Sequence, residues 1–96
     1  MKDWRIQPGI ALVEIKGIYL LVSDQHARKY CPYILRINEI GAFIFRQMEE
    51  QKDIHEIQEF LKKQYDIPED CDLNQDISHF INLLSDKKCL IQEETE

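Results

Sequence analysis

The sequence predicts an α+β domain of winged helix-turn-helix order, with a three-stranded antiparallel sheet followed by three helices. Three observations carry this prediction. Two β-branched and aliphatic runs, Ile10–Ile15 and Ile18–Val22, flank the dipeptide Lys16-Gly17, the pattern of a tight hairpin. From Asn38 onward the apolar residues recur at every third or fourth position instead of every second. Helix-start signals at Asn38, Asp53 and Asp72 then divide this second part into three helices.

Each element follows in chain order. Pro8-Gly9 turns the chain into the first strand, and the polar stretch Ser23–Tyr30 connects the hairpin to a third strand, Tyr33–Ile37. Alternation sets Tyr33, Leu35 and Ile37 on one face of that strand and Ile34 and Arg36 on the other. Asn38 caps the first helix, whose Ile40, Phe43, Ile44 and Met48 share a face. Asp53 and Glu56 form a D-x-x-E capping box for the second, with Ile54, Ile57, Phe60 and Leu61 inward. Its end is expected near Tyr65, because Pro68 disfavours helix at Ile67. "DLNQ", Asp72–Gln75, opens the third helix in the same way, with Leu73, Ile77, Phe80 and Leu84 inward and Lys87 and Lys88 at the negative end of its dipole. Cys89–Ile91 is suited to a short returning strand, while residues 1–7 and 92–96 are candidates for frayed ends, unless Trp4 packs on the sheet. Gly41, inside the first turn of the first helix, costs up to about 1 kcal/mol relative to alanine there. A missing Cβ lets a neighbour approach closely, and the sheet or the third helix is the expected neighbour.

The chain has 96 residues, enough for one domain spanning 1–96 and too few for two. Its 44% hydrophobic and 31% charged residues are ordinary for a globular protein. No apolar run approaches the ~20 residues a bilayer span needs, and the first residues lack the apolar core of a secretory signal, so a cytoplasmic location is expected. Three cysteines, Cys31, Cys71 and Cys89, are widely spaced and odd in number. They point to small buried or half-buried thiols in a reducing compartment, without a disulfide framework or a zinc site. The net charge of −6 argues against general affinity for nucleic acid or an anionic membrane.

Catalysis has little support. His26, His55 and His79 are not spaced as metal ligands, and "HEIQE" is not the H-E-x-x-H of a zinc protease. His55 and Glu59 are an i, i+4 pair on a solvated helix face. No nucleophile elbow or glycine-rich phosphate loop is present, and neither a metal nor another cofactor is indicated. A winged-helix DNA-binding regulator is the alternative that the element order raises. However, Asp72–Asp86 carries three aspartates and no lysine or arginine, and such a helix would be repelled by phosphates. Peptide or protein binding remains. The third strand lies at one end of the expected meander, and edge strands are usually guarded by charge, proline or a bulge. Here Pro32 lies only at its start and Arg36 is its single charge, so an extended peptide has room to add as a further strand. Coverage of this edge by Arg36 and the C-terminal tail is equally compatible with the pattern.

From Ile37 onward, "INEIGAFIF", "DIHEIQEFLKKQY" and "DIPEDCDLNQDISHFINLLSDKKCLI" resemble the PqqD-like family, also called RiPP recognition elements. The family pattern is leucine-asparagine, a glycine or alanine, an apolar pair, a helix ending in tyrosine, an acidic loop and a helix with an early aspartate. Ile37, Asn38, Gly41, Ile44, Phe45, Tyr65 and Asp76 stand at those places. Upstream, "ARKYCPYILRINEIGAFIF" is similar to versions found beside radical SAM peptide-modifying enzymes. Ile40 replaces the usual small polar residue and Phe45 the usual tryptophan, both conservative for packing. The resemblance implies a non-catalytic adaptor that binds the leader of a ribosomally made precursor by strand addition. It would present that precursor to a maturation enzyme, a radical SAM protein or a leader protease. It further implies a ladder along Tyr33, Ile34, Leu35, Arg36 and Ile37, and a groove wall of Asn74, Ile77, Ser78 and Ile81 on the third helix. Two other readings stand beside it: a subunit that only contacts a partner protein, and a homodimer formed through the free edge.

Overall fold

The computed structural model describes residues 5–31 and 34–91. Its strands are β1 (Ile10–Ile15), β2 (Ile18–Ser23) and β3 (Leu35–Ile37), and its helices are α1 (Glu39–Glu49), α2 (Ile54–Tyr65) and α3 (Asn74–Asp86). The sheet is antiparallel in the order β1-β2-β3, which makes β3 an edge. Lys16 and Gly17 both have positive φ (50° and 83°), as a two-residue type I′ hairpin requires, and Ile15 pairs with Ile18 across it. Ile10, Leu21 and Ile37 are buried on one sheet face and join one core cluster with Ile44, Phe45 and Met48 of α1, Ile57 and Leu61 of α2, and Ile77 and Leu84 of α3.

Several expectations need correction. β3 is shorter than the expected Tyr33–Ile37: pairing with β2 stops at Leu21 with Leu35, and Ile34 stands 70% exposed outside the ladder. Tyr33 lies outside the described residues, as does Trp4. Before β3 the chain is held in a turn instead: the Asp24 carboxylate accepts from the Ala27 N–H (2.9 Å), a single 3-10 turn spans Ala27–Lys29, and Ser23 Oγ donates to the Cys31 carbonyl (2.7 Å). In α1, Ile40 faces outward (38% exposed) while Phe45 is wholly buried. In α2, Phe60 is likewise outward, with the Lys52 ammonium 5.3 Å from its ring centre.

The helix starts divide by mechanism. Asn38 Oδ1 accepts from the Gly41 N–H (2.7 Å), and Asp53 and Glu56 make the complete reciprocal capping box. Asp72 does not cap α3; its carboxylate accepts from Asn74 N–H only two residues on, and the cap position is Leu73. The orphan donor of Leu73 is satisfied from another helix, since buried Gln58 of α2 accepts it through Oε1 (2.7 Å) while its Nε2 donates to Asn74 Oδ1 (3.1 Å). Buried Lys62, one turn later on α2, donates to the Glu69 carbonyl (2.7 Å) and pins the α2–α3 connection. At the other end of the chain, Arg5–Gln7, within the segment expected to fray, pairs with the returning Cys89–Ile91: Ile6 bridges Leu90, the Gln7 N–H donates to the Cys89 carbonyl (2.8 Å), and the Ile91 N–H to the Arg5 carbonyl (2.7 Å).

Candidate functional site

The register assigns the free hydrogen-bonding groups of the edge. In a two-residue hairpin Ile15 and Ile18 exchange both bonds, so along β2 the even positions serve β1 and the odd positions, Tyr19 and Leu21, serve β3. Their partners Ile37 and Leu35 are therefore committed inward to the ladder. Arg36 between them turns its N–H and C=O to the open side, where an added strand would bond. No described strand lies beyond it.

Next to this edge the helices leave an apolar hollow of about 380 Å³. Asn38, Ile40, Gly41 and Ile44 of the strand-to-helix joint form one wall, Leu73, Asp76, Ile77 and Phe80 of α3 the other, and Leu61 and Ile67 the end. Gly41 is what lets α3 come so close. A Cβ built there would stand 2.9 Å from Phe80 Cε1, so the ring of α3 packs directly on the backbone of α1. A shallower hollow of about 600 Å³ lies on the other side of Asn38, lined by Ile18, Tyr19, Arg36, Ile37 and Glu39 among others. Asn38 lines both depressions, which together make up a trough beside the strand-to-helix joint.

The residues expected at the site are distributed as follows. Ile34 and Arg36 are exposed beside or on the edge, Leu35 is half-buried, and Ile37 is buried in the core cluster. On α3, Ile77 lies at the floor of the apolar hollow with no exposed surface. Asn74 is turned to α2 by its bond with Gln58, while Ser78 and Ile81 are half-buried and line neither hollow. The α3 residues facing the hollow beside Ile77 are Leu73, Asp76 and Phe80, with Ile40 opposite, and none of these four was in the expected site. Their signal was nonetheless present: Leu73, Ile77 and Phe80 form the apolar phase of α3, and a hollow between helices is lined by the same phase that makes the core.

Charge at the trough is sparse and mixed, with Asp76 at the α3 wall, Glu39 at the α1 start and Arg36 on the edge strand. Glu39 Oε2 accepts from Tyr65 Oη (3.1 Å), and Phe43 meets the Tyr65 ring edge-to-face, which ties the end of α2 to the start of α1. Burial, and then the Glu39 bond, hold the Tyr65 phenol above its ordinary range, so it stays a neutral donor. Among the described residues no three His, Cys, Asp or Glu side chains come together as metal ligands. No helix among them is long and apolar enough to cross a membrane.

The family model described as Coenzyme PQQ synthesis protein D (PqqD) matches residues 26–90, from the turn before β3 to the segment after α3. The chain belongs to the PqqD family. The family match therefore covers the edge strand and all three helices, and leaves out both hairpin strands, β1 and β2. No curated protein matches. Two solved structures share the fold over nearly the whole chain. TbiB1 in complex with the TbiA(beta) leader peptide has a TM-score of 0.69 at 19% identity, covering 95% of this chain and 99% of that one. A lasso peptide synthetase B1 complexed with the leader peptide has a TM-score of 0.72 at 16% identity, covering 94% and 99%.

Proposed function

We propose that this PqqD-family protein binds the leader of a ribosomally made precursor peptide as a strand added to β3. The observation that carries this reading is the edge at Arg36, beyond which no described strand lies and which lines the hollow adjoining the apolar one under α3 at Asn38. Both solved neighbours are leader-peptide complexes of the same fold, which supports the same ligand class here. In this reading the main chain of Ile34–Arg36, extended by Tyr33, supplies affinity, and the hollow holds an apolar leader side chain. Ile77 and Phe80 form its floor, and Asn74, Ser78 and Ile81 flank α3 beyond it. The protein performs no chemistry itself. It works in the cytoplasm and hands the precursor to a maturation enzyme, a radical SAM protein or a leader protease.

The test is an amide NMR titration with the N-terminal halves of short peptides encoded beside the gene, repeated on Arg36→Pro. Because the Arg36 N–H faces away from β2, proline removes an edge donor and spares the β2–β3 ladder. Shifts concentrated in residues 34–41 and 73–80, with at least a tenfold loss of affinity in a folded Arg36→Pro protein, are expected. Undiminished affinity in that variant would overturn strand addition at β3.

A further inference from the structure

Cys31 and Cys89 are 58 positions apart in the chain, yet their sulfurs lie 3.2 Å from each other, and each residue is 1% exposed. Each backbone is held independently of the other thiol. The Cys31 N–H donates to the Ala27 carbonyl (2.9 Å) and its carbonyl accepts from Ser23 Oγ (2.7 Å). The Cys89 N–H donates to the Leu84 carbonyl (2.8 Å) and its carbonyl accepts from the Gln7 N–H (2.8 Å). Two separately fastened turns therefore present their sulfurs face to face. A disulfide bond is about 2.0 Å long, so bonding needs the sulfurs to close by roughly 1 Å, a small side-chain rotation. The third cysteine, Cys71, is exposed and remote in role, and no further ligand joins the pair as a metal site among the described residues.

We propose that Cys31 and Cys89 are a disulfide-forming pair, through which a disulfide oxidant of the glutathione class fastens the chain entering β3 to the chain leaving α3. The exchange balances without any other reagent. One protein thiolate attacks glutathione disulfide and expels one glutathione thiolate. The second protein thiolate attacks that mixed disulfide and expels the other, so two protein thiols and one glutathione disulfide give one protein disulfide and two glutathione thiols. Burial, and then the adjoining Cys31 thiol, push the Cys89 thiol up to about 12, so it is protonated at neutral pH. Exchange in the closed protein is accordingly slow and is fastest while the Arg5–Gln7 and Cys89–Ile91 pairing is open. Once formed, the bond joins the segment before β3 to the segment after α3, and this holds whether or not a leader is the ligand.

The experiment uses the full chain carrying Cys71→Ser, incubated with glutathione disulfide both folded and during refolding from urea, then quenched with an alkylating reagent. The expected product is two hydrogens lighter than the reduced protein, takes up no alkyl group, yields a Cys31–Cys89 linked peptide, and melts roughly 10–20 °C higher until reductant is added. A Cys31→Ser, Cys71→Ser protein should show neither the link nor the gain in melting temperature. Two alkylatable thiols in both arms, or glutathione adducts persisting on either cysteine, would overturn the proposal.

Discussion

Gly41 shows how one side chain of a single hydrogen sets the distance between two walls of the trough. The Asn38 cap accepts its N–H, and Phe80 of α3 occupies the space a Cβ would need, at 2.9 Å. An alanine here gains helix propensity but forces the half-buried Phe80 ring outward, and since α3 cannot be shifted without disturbing Ile77 and Leu84, the ring must yield. Gly41→Ala is expected to lose about 1 kcal/mol of stability in urea titration, the overpacking cost exceeding the propensity gain. Placed in a Phe80→Ala background the same change should become neutral or stabilising, and a cycle in which the two changes simply add would show that the contact does not set the cost. The glycine was visible in the sequence as a residue out of place in a short apolar helix. Its partner was not, because the sheet and the third helix both remained candidates for the contact until the phase of α3 was known.

At the scale of the element, the helix beginnings were more legible than the helix ends. Asn38 and the Asp53–Glu56 box act as their types predict, whereas Asp72 is a failed signal: it bonds only two residues along, and Gln58 from α2 does the capping. No local pattern announces a cap supplied across helices. Gln58→Leu should therefore cost about 1–3 kcal/mol by leaving the Leu73 N–H unpaired, lowering the urea midpoint at unchanged slope. Gln58→Glu, which keeps the acceptor, should recover part of that loss. All three helices stop in the same manner without glycine. Gln51, Asp66 and Lys88 have φ of 66°, 55° and 65°, and the next N–H reaches five residues back, to the carbonyls of Gln47, Lys62 and Leu84 respectively. Sequence reasoning relies on glycine to mark such closures, and this chain has only three, none at these places. Lys88→Gly should consequently stabilise the protein by about 0.5–1 kcal/mol, relieving the left-handed backbone at the end of α3. A measured loss would mean that the Lys88 side chain holds that turn through contacts worth more than the relief.

Over the whole molecule, the order of strands and helices was legible because period-two and period-three-to-four patterns meet cleanly at Asn38. The edge position of β3 followed from hairpin logic. The candidate site was legible in part: the edge strand was expected and Ile77 does line the hollow, while the Asn74 amide is engaged by Gln58 of α2. The adjoining hollow was hidden because its lining is also core, and no sequence distinguishes a filled interface from one left partly open. The opposite face of the sheet raises a last question. By alternation and register Val13, Ile15, Leu20 and Val22 share the side turned away from the core, and Ile15 is 53% exposed. A short β sheet with water on one side ordinarily carries polar residues there, so aliphatic residues on this side make it a candidate contact surface for another protein. If the protein delivers its leader to a maturation enzyme, that enzyme has this face available while the β3 edge is occupied. Val13→Lys with Ile15→Glu lies on β1, the strand at the opposite edge of the sheet from β3, and introduces charge only on the outward side. The doubly substituted protein is expected to keep leader affinity within about twofold while slowing enzyme-catalysed modification of the precursor at least tenfold, since a desolvated apolar contact would have to bury both charges. Equal modification rates at limiting adaptor concentration would show that the enzyme approaches from another side, and a loss of leader affinity would show instead that the outer face and the trough are coupled through β2.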